Sequence, residues 1–239
     1  MKTINKLSVA ILLLSVGAVS NAFSLQVTIQ PILVADTNGS NQSAETSYRN
    51  YMTKIYAQAD IGVVFAPTNF LNNSTYNHFN YNNAFSLVTS AGHGQNANPL
   101  VINAFFVNEV TNNSVYGFGY LDAPYMVMDT SAILSYSALG RVDTFSHELG
   151  HVLNLDHYDS TNPGDPNASK HLMASGGIRD IPQTLGNVAP DGLGLDLLSQ
   201  SEINAMRSSR FALPVPEPGS FIALGAGLAV FCRRRRKAC

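Results

Sequence analysis

The stretch HELGHVLNLDH, His147 to His157, restricts the backbone more than any other part of this 239-residue chain. Residues four apart on a helix lie on one face, one turn above the other, so His147 and His151 can aim two imidazoles at one point. Glu148 sits a step round the same helix. His157 cannot join them on a continuing helix, because six further residues turn through about 600° and climb ~9 Å. If three rings are to meet, the helix must stop soon after His151 and the chain must fold back. A left-handed residue ends a helix in this way, and glycine is the usual choice. Here the position belongs to Asn154, the ordinary residue that tolerates positive φ most readily. The sequence therefore predicts a positive φ at Asn154 and no helix running through Asp156.

His-Glu-x-x-His on a helix is the arrangement of zinc hydrolases. Three neutral imidazoles, His147, His151 and His157, leave one position of a tetrahedral Zn²⁺ open to solvent, whereas structural zinc usually has four protein ligands. Glu148 is placed to act as general base and then general acid for water attacking a peptide carbonyl. His78, His93 and His171 read as surface or structural residues. Asp156, Asp159 and Asp165, with Asn154 and Asn162, offer oxygen ligands to Ca²⁺ but no specific loop pattern, and a solvated polar loop fits them better.

The two ends read as processing signals. Residues 1–22 have a short basic start, an apolar run from Leu7 to Val19, and small residues at Ser20 and Ala22, the order of a secretory signal peptide. Residues 213–239 carry Pro216-Glu217-Pro218, an apolar run from Phe221 to Cys232, and a basic cluster from Arg233 to Lys237. This order resembles the PEP-CTERM sorting signal. The resemblance implies an exosortase-type partner, transient membrane contact through the tail, and a bacterial cell-surface or extracellular destination. Between the ends, residues 23–218 hold 7 bases against 16 acids, a net charge of −9. Such a body has no basic face for phosphate, which argues against nucleic acid as a partner. Both cysteines, Cys232 and Cys239, lie in the tail, so the body has no disulfide and depends on its own core.

Residues 23–212 read as one domain. Leu25–Asp36 alternates as a strand does, a helix follows from about Ser43, and Ile61–Leu71 reads as a second strand. The Asn-rich segment at 72–83 reads as a surface loop. Pro99–Val110 is a strong buried strand, and one or two short strands fall within 114–130. Helical spacing returns over 135–155, with Leu139, Val142, Phe145, Leu149, Val152 and Leu153 on one face. A long polar region follows, then a final helix capped by Ser199 or Ser201. This order predicts an α+β fold with a mixed sheet.

With His147, Glu148, His151, His157 and the downstream HLMASGG in place, the chain resembles the metzincin metalloproteases, most nearly the matrixin and reprolysin groups, with Asn154 departing from the usual glycine. The resemblance implies a twisted mixed sheet with the active-site helix, an irregular lower subdomain, a C-terminal helix, and a methionine turn at Met173. It also implies an edge strand that pairs with an extended protein or peptide substrate. YGFGYLDA is the candidate, with Gly117, Gly119, Tyr120 and Leu121 as substrate-binding residues. The activity expected is that of an exported zinc endopeptidase. The alternative is a catalytically silent surface-matrix or adhesion protein that retains the metal site.

Overall fold

A computed structural model describes residues 23–90 and 92–215. The segment expected to be a signal peptide, the Pro-Glu-Pro triplet, the apolar run of the tail and its basic cluster lie outside the described residues. Among the described residues no helix is long and apolar enough to cross a membrane.

The central sheet forms because several segments are apolar on both faces. Its first strand, β1 (Leu25–Ala35), sends odd-numbered Val27 and Ile29 to one core and even-numbered Ile32 and Val34 to another. After it come α1 (Arg49–Ala57), β2 (Ile61–Phe65), β3 (Asn69–Asn72), α2 (Ser74–Asn77), β4 (His78–Asn80) and α3 (Ala84–Thr89). The buried strand β5 (Val101–Val107) puts Ile102, Ala104 and Phe106 on the first face and Phe105 and Val107 on the second. A strand covered on both sides reads as an unbroken apolar run. Then follow β6 (Glu109–Thr111), β7 (Gly117–Gly119), β8 (Tyr125–Asp129) and α4 (Thr130–Ser135). The chain continues through α5 (Thr144–Val152) and α6 (Tyr158–Thr161) and closes with α7 (Gln200–Ser208) and β9 (Leu213–Pro214).

The strand order is β2-β1-β5-β8-β7. β2, β3 and β5 run parallel to β1, and β8 runs parallel to β5. β7 runs antiparallel at the edge, pairing Phe118 with Val127. β9 pairs antiparallel with the first residues of β1, Leu25 opposite Pro214, and Val215 N–H donates to the Ser24 carbonyl at 3.0 Å. This is the α+β fold with a twisted mixed sheet that the element order predicts. The first face packs on α1, α5 and α7 through Met52, Ile55, Phe145, Leu149 and Met206. The Ser199 side chain caps α7 by accepting from Glu202 N–H, as expected.

Three expectations need correction. The Asn-rich segment is not a surface loop, since α2 and β4 cover the second face of the sheet with buried Tyr76 and Phe79. Its asparagines occupy backbone-capping positions: Asn73 accepts from Thr75 and Tyr76 N–H, and Asn80 from Asn82 N–H. Polar residues with that task hide two aromatic anchors from a periodicity reading. Second, the helix expected from Ser43 starts only at Arg49, after left-handed Tyr48. Ser43 is buried instead, accepting from Val34 N–H and donating to the Phe106 carbonyl. Third, the helix expected over 135–155 is confined to α5, with Gly140 at φ 79° in the turn that separates it from α4. Leu139 is consequently exposed rather than part of the buried face.

Candidate active site

α5 lies under the sheet edge and carries the site. Its end follows from Asn154, which sits at φ 71°. The helix stops at Val152, and Leu153 is its cap. Leu155 N–H reaches back to the Gly150 carbonyl at 3.0 Å and Asn154 N–H to the His151 carbonyl at 2.9 Å. These are the paired bonds of a Schellman ending, and they return the chain so that His157 faces the other two rings. We expect Asn154→Gly to stay within ~0.5 kcal/mol of the parent. Asn154→Val should cost about 1–2 kcal/mol, because a β-branched residue resists the left-handed region. Thermal melts of the two variants check this.

The three rings converge. Their centroids stand 4.8 Å (His147 to His151), 5.3 Å (His147 to His157) and 4.9 Å (His151 to His157) apart. One ligand nitrogen from each lies within 4.8 Å of the others, close enough for one ion to draw them to bonds of ~2.0–2.1 Å. Carbonyls orient two of the rings: His147 Nδ1 meets Leu172 O at 2.7 Å and His151 Nδ1 meets Leu155 O at 2.8 Å. With Nδ1 donating, Nε2 keeps its lone pair for a metal. Burial, the largest influence on both, lowers the pKa of His147 and His151, His147 strongly, and holds them neutral. The donor set of three imidazole nitrogens suits Zn²⁺. Among the described residues no other group of three or more His, Cys, Asp or Glu is gathered in this way.

Glu148 is buried beside the rings, and burial pushes its carboxyl up to about 7 despite the opposing pull of Arg179 and the Gly119 N–H. That backbone N–H binds the carboxylate from the edge strand. Gly117 and Gly119 are bare because α5 lies against them. A Cβ at Gly117 would stand 3.3 Å from Glu148 Cγ, and one at Gly119 would collide with the Glu148 carbonyl oxygen. A cavity of about 590 Å³ opens in front, lined among others by Gly117, Phe118, Gly119, Leu121 and the three histidines. Tyr120 does not line it. Its ring lies against Phe118 and Phe85, with the core of the opposite face. The alternation of the strand sends it there.

Beneath α5, Met173 is fully buried, and its Sδ occupies the space a Cβ on Gly150 would need. Its carbonyl accepts from Tyr158 N–H at 2.8 Å. Asp159 accepts from Ser175 N–H and Oγ, and Asp165 from the Tyr158 hydroxyl and Asn167 N–H. These acids thus tie the lower segment together.

Sequence reasoning missed a buried charge group behind His147. Arg179 meets Asp143 at 2.7 Å, donates to the Leu172 and Ala174 carbonyls, and lies against His147 Nδ1. Arg141 lies beside the pair, 3.9 Å from Asp143. No spacing rule links residues 141, 143 and 179. Gly150, by contrast, left a signal: a glycine inside a nine-residue helix has a packing reason.

A comparison with curated proteins finds no match. Among solved structures, the chain is similar to archaemetzincin from Archaeoglobus fulgidus, at 13% identity and TM-score 0.38, covering 75% of this chain and 99% of that one. It is also similar to mirolysin, at 15% identity and TM-score 0.46, covering 77% and 91%. A third is metalloproteinase-II from Bacteroides fragilis, at 14% identity and TM-score 0.40, covering 77% and 53%. Residues 214–237 match the PEP-CTERM protein-sorting motif, which supports export to the cell surface or beyond.

Proposed function

We propose that residues 23–212 form a metzincin-like zinc endopeptidase, exported and handled by an exosortase-type enzyme at its tail. The supporting observation is the convergence of three imidazoles beside a buried carboxylate, at the floor of a cavity bounded by a free sheet edge. His147, His151 and His157 would hold the ion, with Met173 as the turn beneath. Zinc, when bound, supplies Lewis acidity that lowers the pKa of water and polarises a carbonyl.

The remaining work falls to the chain. Glu148 takes the proton from the attacking water and returns it to the leaving nitrogen. The Gly119 N–H keeps the carboxylate aimed. The outer edge of β7, paired on its other side with β8, takes an extended peptide by strand addition.

Metal analysis together with cleavage of casein, with and without a chelator, tests this reading. We expect one zinc per chain, cleavage that stops on chelation, and recovery when zinc is returned. A zinc-loaded protein that cuts neither casein nor a broad peptide library would instead be the silent surface protein.

A further inference from the structure

One wall of the cavity is unused by this chemistry. Arg141 lines the same space as His147 and Glu148, although its side chain is only 5% exposed. Its guanidinium carbon stands over the Tyr116 ring, 4.5 Å from the ring centre, and 5.4 Å from that of Tyr136. Nη2 donates to the Gly176 carbonyl at 2.9 Å. Nε has no hydrogen-bond partner, and Nη1 donates to none among the described residues. A guanidinium has five N–H donors in a planar fork, so most of this fork is idle. Gly176 lies in front of it, and a Cβ there would stand in ordinary contact, 3.7 Å from both terminal nitrogens.

The nearby acids do not match the charge. Asp143 is drawn to Arg179 at 2.7 Å and stays 3.9 Å from Arg141, beyond hydrogen-bond reach. Asp196 is fully buried and its carboxyl oxygens have no hydrogen-bond partner. Burial first, then Asp143, holds its carboxyl well above the usual range. Asp156, the other acid on the cavity lining besides Glu148, accepts the His157 N–H. A buried cation with idle donors, balanced among the described residues only by a long ion pair to a carboxylate it shares with Arg179, is costly, and a second carboxylate fits the fork in two parallel bonds.

We propose that Arg141 is a specificity-determining residue and that the cavity takes a substrate carboxylate. This rests on the peptidase reading above. The carboxylate can come from an Asp or Glu side chain beside the scissile bond or from a peptide's free C-terminus. Digestion of a peptide library by the zinc-loaded protein, read by mass spectrometry, shows the enriched position. Matched peptides then differ only there, Glu or Gln, with both ends capped. A third peptide carries Gln and a free terminal carboxylate.

We expect kcat/KM for the Glu peptide to exceed that for the Gln peptide at least ~10-fold, and Arg141→Gln to bring the ratio close to 1. A gain confined to the free-carboxylate peptide assigns the same site to a chain end. A wild-type protein indifferent to all three overturns the proposal, whether or not Arg141→Gln folds. Calorimetry of the same peptides on Glu148→Gln protein separates the two claims. Selective binding without wild-type hydrolysis keeps the carboxylate site and sinks the peptidase, while hydrolysis without selectivity does the reverse.

Discussion

Glu148→Gln is expected to keep one zinc per chain and lose kcat/KM by about 10²–10⁴-fold, the usual contribution of a positioned acid–base group. The amide keeps the shape and can still meet the Gly119 N–H through its carbonyl, but it cannot accept a proton from water. The pH profile adds a second readout. The ionised carboxylate is the working form, so the rate falls as pH drops through its pKa. Burial, partly offset by Arg179 and the Gly119 N–H, sets that carboxyl at about 7, and a dication beside it acts in the same lowering direction as Arg179. The acid limb of the wild-type profile should therefore lie below pH 7 and be absent from the residual activity of the variant. A variant that turns over normally removes Glu148 from the chemistry.

Gly119→Ala should be nearly as damaging by a different route. The new methyl group would collide with the Glu148 carbonyl oxygen and stand 3.3 Å from Val152 Cγ2. Both obstacles belong to α5, which is buried and cannot retreat, so β7 must lift. Overpacking of this kind costs about 2–3 kcal/mol, or roughly 5–10 °C in Tm for a domain of this size. Displacing the N–H that aims Glu148 should also cut activity by about 10²-fold. Gly177→Ala is the control for the melt, because a Cβ there meets nothing within 4 Å, and its Tm should not move. A Gly119→Ala protein with parental Tm and rate would show that the edge strand has more freedom than this packing allows.

The metal-binding geometry was legible because its information is local. The spacing of His147, His151 and His157 forces a helix and then a reversal, and Asn154 is a residue that can make one. β5 was legible because a strand buried on both faces has nothing polar to interrupt it. Arg141 and Arg179 were not, because their meaning lies in contacts across 35 and 32 residues, to Gly176 and His147. The side on which β7 is approached was not legible, because a stretch of glycines at a sheet edge says that something comes close without saying from where. Here α5 comes close from one face, and the tyrosine turns to the other.

The pairing of β9 with the start of β1 has one more consequence. Val215 and Ser24 are hydrogen-bonded neighbours, so the first and last described residues of the body lie side by side on paired strands. A short linker could join 215 to 23 and new ends be opened elsewhere: the domain is a natural subject for circular permutation.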